Sequence, residues 1–237
     1  MEGLRRMVFD SLLSSHDAIV FFDTETTGLY PKRDRIIEIA AVRVEKKEAV
    51  KVTEVMNAYI RLPENKSIPE KITELTGIKD SDLLEHGVSE EEAAAAFAEI
   101  IAGEHVVLAA HNAQFDLSFV RYFLRGKTFG KLDFLDTLTV FRDRHAYPHK
   151  LSDAIAAYGI EDVQNSHSAA DDVIALTAVA RAMDAERNDL DKYLNIFGFL
   201  ARFGKPEPAI AGVTYLPQSN GNVMVPEEHT LPTRVGK

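Results

Sequence analysis

The sequence contains no cysteine, which excludes disulfides and thiolate metal sites and agrees with a cytoplasmic location. No apolar run approaches membrane-spanning length. The opening residues MEGLRRMVFD include Asp10 and lack a long apolar core, so no secretory signal is expected there. Repeats of solenoid type are also missing. Positive charge is in deficit: 27 Lys and Arg stand against 37 Asp and Glu, a formal net charge of -10. A chain of that balance does not hold long nucleic acid by bulk attraction, although it can still grip a few phosphates through metal ions. What is present is core material. At 237 residues and 46% hydrophobic content, the chain can bury one domain, or one domain with a tail, but not two large ones.

The pattern along the chain is mixed α/β. Gly3 to Leu13 reads as a peripheral amphipathic helix. Ala18 onward, Arg35 to Val44 and Val52 to Ile60 read as three strands, the last two joined by the charged turn Glu45 to Lys51. Ser89, three glutamates and AAAAFAEIIAG form a helix with an N-cap and first-turn acids, closed by Gly103. Strand His105 to Ala110, helix Phe115 to Arg125, strand Leu132 to Leu135, helix Lys150 to Tyr158 and helix Ala169 to Met183 follow. After Gly204 the texture changes, with five of nine prolines at Pro206, Pro208, Pro217, Pro226 and Pro232. Three regions are therefore expected: an N-terminal helical extension over 1–16, the main domain over 17–203, and a Pro-rich tail over 204–237. That tail packs on the domain, docks a partner, or stays mobile.

The most informative stretch is AIVFFDTETTGL, residues 18–29. Five apolar residues suit a strand buried on both faces. Side chains alternate along a strand, so Asp23 and Glu25 share a side. Two carboxylates at the end of an apolar strand repel each other and lose hydration unless a cation sits between them. Oxygen ligands of this kind favour Mg²⁺ or Mn²⁺ over zinc. The plainer alternative is that both acids solvate a turn before Gly28.

Two further acids head apolar helical stripes. Asp116 precedes Phe119, Val120 and Phe123, and Asp172 precedes Leu176, Val179 and Met183. For Asp116 the alternative is a first-turn acid complementing the helix dipole. His167 lies five residues before Asp172 and cannot share its helical face. It therefore belongs on the preceding loop, with Ser168 as N-cap and Asp171 in a capping-box-like relation to it. From there His167 can lean over the site.

The segments FFDTETTGL, HNAQFD and HSAADD together resemble the three motifs of the DEDDh exonuclease family, which includes the proofreading subunit of the bacterial replicative polymerase. The likeness spans about Ala18 to Met183. IPEKITELTGI around Leu75 and HKLSDAIAAYGI around Leu151 also look familial. The resemblance implies an RNase H-like fold, a mixed five-stranded sheet with three antiparallel strands first, flanked by helices. It assigns Asp23, Glu25, Asp116 and Asp172 to two divalent metal ions, Mg²⁺ or Mn²⁺, with Asp23 bridging both, and His167 to the general base. The implied reaction is 3′-to-5′ hydrolysis of single-stranded ends, DNA favoured over RNA, releasing nucleoside 5′-monophosphates. Two metals about 3.5–4 Å apart suit such a displacement. Thr26, Gly28, Leu29, His111 and Asn112 are the implied substrate contacts. Their plainer roles are turn formation for Thr26 and Gly28, a core position for Leu29, and a helix cap for Asn112.

The expected partners are 3′ ends of single-stranded DNA or RNA, with no membrane. Weak bulk attraction adds a DNA polymerase or other replication or repair protein that delivers substrate. One local exception to the acidic balance is Arg121 to Lys150, where Arg121, Arg125, Lys127, Lys131, Arg142, Arg144 and Lys150 face only Asp133, Asp136 and Asp143. If it borders the site, this segment supports a strand's backbone; otherwise it is a solvated helix face. The rival readings are an exoribonuclease of the same family, a haloacid-dehalogenase-type phosphatase with Asp23 as nucleophile, and a non-catalytic nucleic-acid-binding module. The phosphatase leaves His167 and HNAQFD without a role, and a binding module does not need four acids and a histidine.

Overall fold

The computed structural model of the chain describes residues 8–46, 49–124, 132–163 and 166–218. Its centre is a five-stranded sheet in the order β3-β2-β1-β4-β5. Strand β1 (Ala18–Thr26) pairs antiparallel with β2 (Ile36–Lys46), which pairs antiparallel with β3 (Val50–Tyr59). On its other side β1 runs parallel to β4 (Val106–Ala110), and β4 parallel to β5 (Leu132–Asp136). This is the expected RNase H-like sheet, three antiparallel strands first.

Burial of β1 explains its composition. Ala18 through Phe22 are all fully buried, because helices cover both faces of the sheet at its centre. Odd positions Ile19 and Phe21 join Val107, Ala109 and Leu135 in a core shared with α1 (Asp10–Leu13), α6 (Thr137–Arg144), α7 (Leu151–Ala157) and α8 (Ala169–Glu186). Even positions Val20 and Phe22 join Leu108 and Ala110 in a second core under α4 (Glu90–Ile100) and α5 (Ala113–Phe123). Phe22 and Phe97 meet there at 5.6 Å between ring centroids, within the range of favourable tilted aromatic pairs. Two short helices, α2 (Glu70–Thr76) and α3 (Asp80–His86), close a third, smaller cluster over Ile37.

Several elements lie outside the sequence expectation. Helices α2, α3 and α6 do not show in the apolar pattern. Helix α6 starts directly after β5, with Asp136 ending the strand and capping the helix through Leu138 N at 3.2 Å. Its run Thr-Leu-Thr-Val-Phe is rich in β-branched and aromatic residues and so looks strand-like. The helix predicted to close at Gly103 ends at Ile100. Residues 3–7 of the predicted N-terminal helix lie outside the described residues, and Asp10–Leu13 is helical.

Beyond α8, β6 (Ile196–Leu200) and β7 (Thr214–Gln218) form a parallel two-stranded sheet. Residues 214–218 thus lie past Gly204 yet pack on the body of the protein. Gln218 is buried and its Nε2 donates to Thr139 O at 3.1 Å. The side chain of Gln218 occupies the space a Cβ at position 198 would need, which is why β6 carries Gly198. Residues 219–237 are outside the described residues. No helix among the described residues is long and apolar enough to cross a membrane.

Candidate active site

The C-terminal ends of β1 and β4 and the N-termini of α5 and α8 meet at one rim of the sheet. Asp23 and Glu25 continue the parity of Ile19 and Phe21, so they face the layer that holds α8. Opposite them, α8 begins with Asp172 in its first turn, buried to 6% exposure, and His167 sits exposed on the loop before it. The backbone of His167 is left-handed, with φ 58, a turn that sets the loop off from the helix. One ligating atom from each of Glu25, His167 and Asp172 lies within 4.8 Å of the others.

Asp116 comes from α5 and is nearly as buried, at 3% exposure. Thr24 fixes it: the backbone N and the Oγ1 of Thr24 donate to Asp116 Oδ1 at 3.1 and 2.7 Å. Thr24 points away from Asp23 and Glu25, so one turn of β1 presents two acids on one face and grips a third from the other. Burial pushes the Asp23 carboxyl well above its ordinary value, and Asp116, Glu25, Asp172 and Glu38 push it further by repulsion. Burial, then Asp172, Glu38 and Asp116, raises Glu25 to about 8. Asp116 is raised to about 7, chiefly by burial, against the opposing hydrogen bonds from Thr24. So many neighbouring acids cannot all be ionised without a compensating cation. Four carboxylates with one imidazole at the margin suit a hard divalent ion, and the residues therefore fit a metal of the Mg²⁺ or Mn²⁺ class.

Two acids that hold the site together escaped the sequence reading. Glu38 is fully buried in β2 and pairs in register with Glu25. Its Oε2 accepts from Ala169 N at 3.0 Å and its Oε1 from Ser168 Oγ at 3.4 Å. A strand carboxylate thereby caps the helix that carries Asp172. Asp136 does the same for α5: its Oδ1 accepts from Asn112 N at 2.9 Å and Ala113 N at 3.1 Å. The available signal was an acid interrupting an apolar run, as in RIIEIAAV, because such an acid must find donors. This also corrects the predicted cap. Ser168 holds the N-cap position of α8 but makes no side-chain capping bond, since Glu38 takes both its hydroxyl and the first helical N–H. Asp171 is exposed and accepts from Ser166 Oγ at 2.6 Å instead.

The expected substrate contacts divide. Leu29 is 72% exposed at the rim, which rules out the core alternative. Thr26 is buried and donates to Gly28 O at 2.7 Å, shaping the turn. Gly28 is needed because the Asp34 carboxylate fills the position of a Cβ, so the close approach there is made by the protein itself. The side chain of Asn112 is exposed and makes no capping bond, its backbone left-handed at φ 72. His111 commits both ring nitrogens to the fold, to Thr137 Oγ1 at 3.0 Å and to His149 O at 3.0 Å. Burial lowers its pKa, so the neutral ring braces the end of β4 rather than reaching outward.

The sequence profile of the Exonuclease family matches residues 20–180, a span that contains all five of these groups. The chain belongs to the exonuclease family. The exonuclease is 35% identical over 175 residues to the PolC-type DNA polymerase III of Clostridium perfringens, covering 71% of this chain and 11% of that protein. It is 40% identical over 126 residues to the 3′-5′ exonuclease DinG of Bacillus subtilis, 52% of this chain and 13% of that one. With the epsilon subunit of DNA polymerase III from Treponema pallidum it shares 35% over 116 residues, 48% of this chain and 50% of that subunit. The exonuclease thus spans at most half the length of these relatives. Its fold matches Exonuclease I of E. coli in complex with a dA16 oligonucleotide, with a TM-score of 0.65 at 22% identity over 75% of this chain and 42% of the other.

Proposed function

We propose that the exonuclease removes nucleotides from the 3′ end of single-stranded nucleic acid, DNA in preference to RNA, releasing nucleoside 5′-monophosphates. The observation that carries this reading is the rim cluster: Asp23, Glu25, Asp116 and Asp172 share one electrostatic field, with His167 at its open edge. Relatives named as 3′-5′ exonucleases and polymerase III subunits support the direction of attack and DNA as substrate. Two divalent ions, Mg²⁺ or Mn²⁺, bound by these acids would supply charge neutralisation for the phosphodiester and a more acidic water.

The protein's own groups have separable tasks. Asp23 shares its side of β1 with Glu25, and every other acid of the cluster acts on it, so it would hold metal together with each of them. Thr24 and Glu38 hold Asp116 and the Asp172 helix in place. His167 is exposed, carries no metal in this reading, and takes the proton from the attacking water. Leu29 offers an apolar surface to the terminal base and Asn112 an amide to the strand. A polymerase or another replication protein delivers the strand, in keeping with the net charge of -10.

The test is a 5′-labelled oligonucleotide of DNA or RNA with EDTA, then with Mg²⁺ or Mn²⁺ restored. Stepwise shortening from the 3′ end, metal-dependent and faster on DNA, is expected. Full activity in EDTA, or cleavage of a phosphomonoester instead, would refute the proposal.

A further inference from the structure

Beside the acids, at the same rim, lies a cavity of about 370 Å³ whose walls include His111, Asn112, Arg142, Tyr147, His149 and Lys150. The sheet register fixes where it lies. Phe21 pairs with Ala109 in the parallel β1–β4 ladder, and Ala110 with Asp136 in β4–β5. Asp23 follows Phe21 and His111 follows Ala109 by two residues each, so both lie at the same end of the sheet. The cavity's other wall, α6, begins directly after β5, one strand further on.

Three features of this cavity are unusual. Arg142 is half-buried, yet among the described residues it makes no hydrogen bond or ion pair. Burial lowers its pKa, the nearby Asp136 charge opposes this, and Arg142 in turn acts on His111. A guanidinium carries five N–H donors, and those of Arg142 stay open to solvent at the cavity wall, where a phosphate can take them. Tyr147 is 71% exposed, and its ring stands edge-on to His149 at 5.9 Å between centroids, leaving a face open. The loop bearing it is nonetheless pinned. His149 O accepts from His111, and His149 Nε2 donates to His145 O at 2.8 Å. An exposed aromatic ring on a pinned loop and a guanidinium with open donors, both lining one cavity, form an arrangement that can bind a nucleotide's base and phosphate together.

The other basic residues of this segment are not so placed. Arg144 is used by Glu186, Asp189 and Met183 O. Arg121 is on the surface of α5, and residues 125, 127 and 131 are outside the described residues. The predicted basic border of the site thus reduces, among the described residues, to Arg142 and Lys150.

We propose that this cavity is a second strand-binding subsite, in which Arg142 and Lys150 hold a backbone phosphate and Tyr147 stacks a base of the single strand, one to three nucleotides upstream of the scissile bond. This inference rests on the nuclease reading above and adds a place where the length of the strand is sensed. Its occupant is a single-stranded polynucleotide, the shared chemistry being a phosphodiester next to an unpaired base.

The test separates the subsite from the chemistry. Wild type, Arg142→Gln, Arg142→Ala and Tyr147→Ala are compared for binding of labelled (dT)8 and (U)8 in Ca²⁺, and for hydrolysis of (dT)8 and of the p-nitrophenyl ester of thymidine 5′-monophosphate in Mn²⁺. The ester occupies only the terminal position. The variants are expected to bind (dT)8 about ten-fold more weakly, to lose about 0.7 from the slope of log K against log salt where Arg142 is changed, and to hydrolyse the ester within about two-fold of wild type. Arg142→Gln keeps the side chain's bulk and guards against a folding defect, which matching melting temperatures would exclude. Unchanged (dT)8 affinity in both Arg142→Gln and Tyr147→Ala would overturn the subsite, as would an equal loss on the ester. If wild type hydrolyses neither substrate, the nuclease reading fails by itself, while the (dT)8 and (U)8 binding arms still decide the subsite.

Discussion

Without metal, the rim cluster should make the protein less stable as pH rises, opposite to the usual behaviour of a carboxylate in an ion pair. Glu25 holds its proton up to about pH 8 in the folded chain and Asp116 up to about pH 7. In the unfolded chain both titrate near their ordinary values, about 4.3 and 3.9. Between those limits the folded state binds more protons, so the derivative of unfolding free energy with pH is negative. The protonated acids leave stability intact below about pH 4.5, and it is lost progressively up to about pH 8. One retained proton corresponds to about 1.4 kcal/mol per pH unit, so Glu25 alone sets an upper limit of about 5 kcal/mol. Water reaching its partly exposed carboxylate and mutual relief among the acids reduce this, and a total of roughly 2–4 kcal/mol is expected.

For a domain of this size each kcal/mol moves the melting temperature by about 2–4 °C. Thermal melts of EDTA-treated protein should therefore show a fall of roughly 4–16 °C between pH 5 and pH 8. Adding Mn²⁺ should restore most of it at pH 8 and little at pH 5, where protons already occupy the acids. General repulsion from a net charge of -10 also weakens the fold as pH rises, so Glu25→Gln and Asp116→Asn are the necessary controls. Both should flatten the slope. A metal-free melting temperature that is flat or rises over this range, or a slope that survives in both variants, would refute the electrostatic reasoning.

Three other outcomes are expected. His167→Ala should lower turnover by on the order of 10²- to 10⁴-fold while Mn²⁺ affinity by calorimetry stays within a few-fold; an unchanged rate would return His167 to a surface loop residue. Asp172→Asn should abolish activity and raise the metal-free melting temperature at pH 8, whereas Asp171→Asn, which loses only the exposed bond from Ser166, should remain active and cost at most about 1 kcal/mol. Glu38→Ala removes the acceptor for Ala169 N and should weaken Mn²⁺ binding about ten-fold, with Glu38→Gln, which keeps an amide oxygen at that place, close to wild type; equal metal affinity in both would make Glu38 a structural acid only.

How much of this was legible beforehand follows from which interactions are local. Strand β1 and its acids could be read because burial on both faces leaves a run of five apolar residues that ends abruptly at Asp23. Asp172 and Asp171 were separable because a helix turns about 100° per residue and only one of them continues the Leu176 and Val179 stripe. Glu38 escaped for the opposite reason: an acid inside RIIEIAAV signals that donors must exist, but those donors, Ser168 and Ala169, lie about 130 residues away and are not named by its surroundings. The same holds for β6 and β7, which pair in parallel across an intervening loop and fit together because the Gln218 side chain fills the space that a Cβ at Gly198 would need. His111, expected to hydrogen-bond the strand, has both ring nitrogens engaged by Thr137 and His149, which come from the start of α6 and the loop before α7, partners its local sequence does not reveal.

The division of charge across the molecule explains how an acidic protein can act on a polyanion. At physiological ionic strength screening reduces electrostatic reach to about 8 Å, so most of the net charge of -10 is not felt by a strand already at the rim. On the proposed reading the strand would meet Arg142 and Lys150 on one side and, with the acids neutralised by divalent ions, a site that would no longer repel it. On that reading the cluster would gate as well as catalyse: above the raised pKa values and without metal its ionised acids repel phosphate, and divalent ions would remove that repulsion. Capture would then be short-ranged, depending on metal first and on the proposed basic rim second, and drawing little from long-range attraction, which is the physical reason for proposing a partner that delivers the strand.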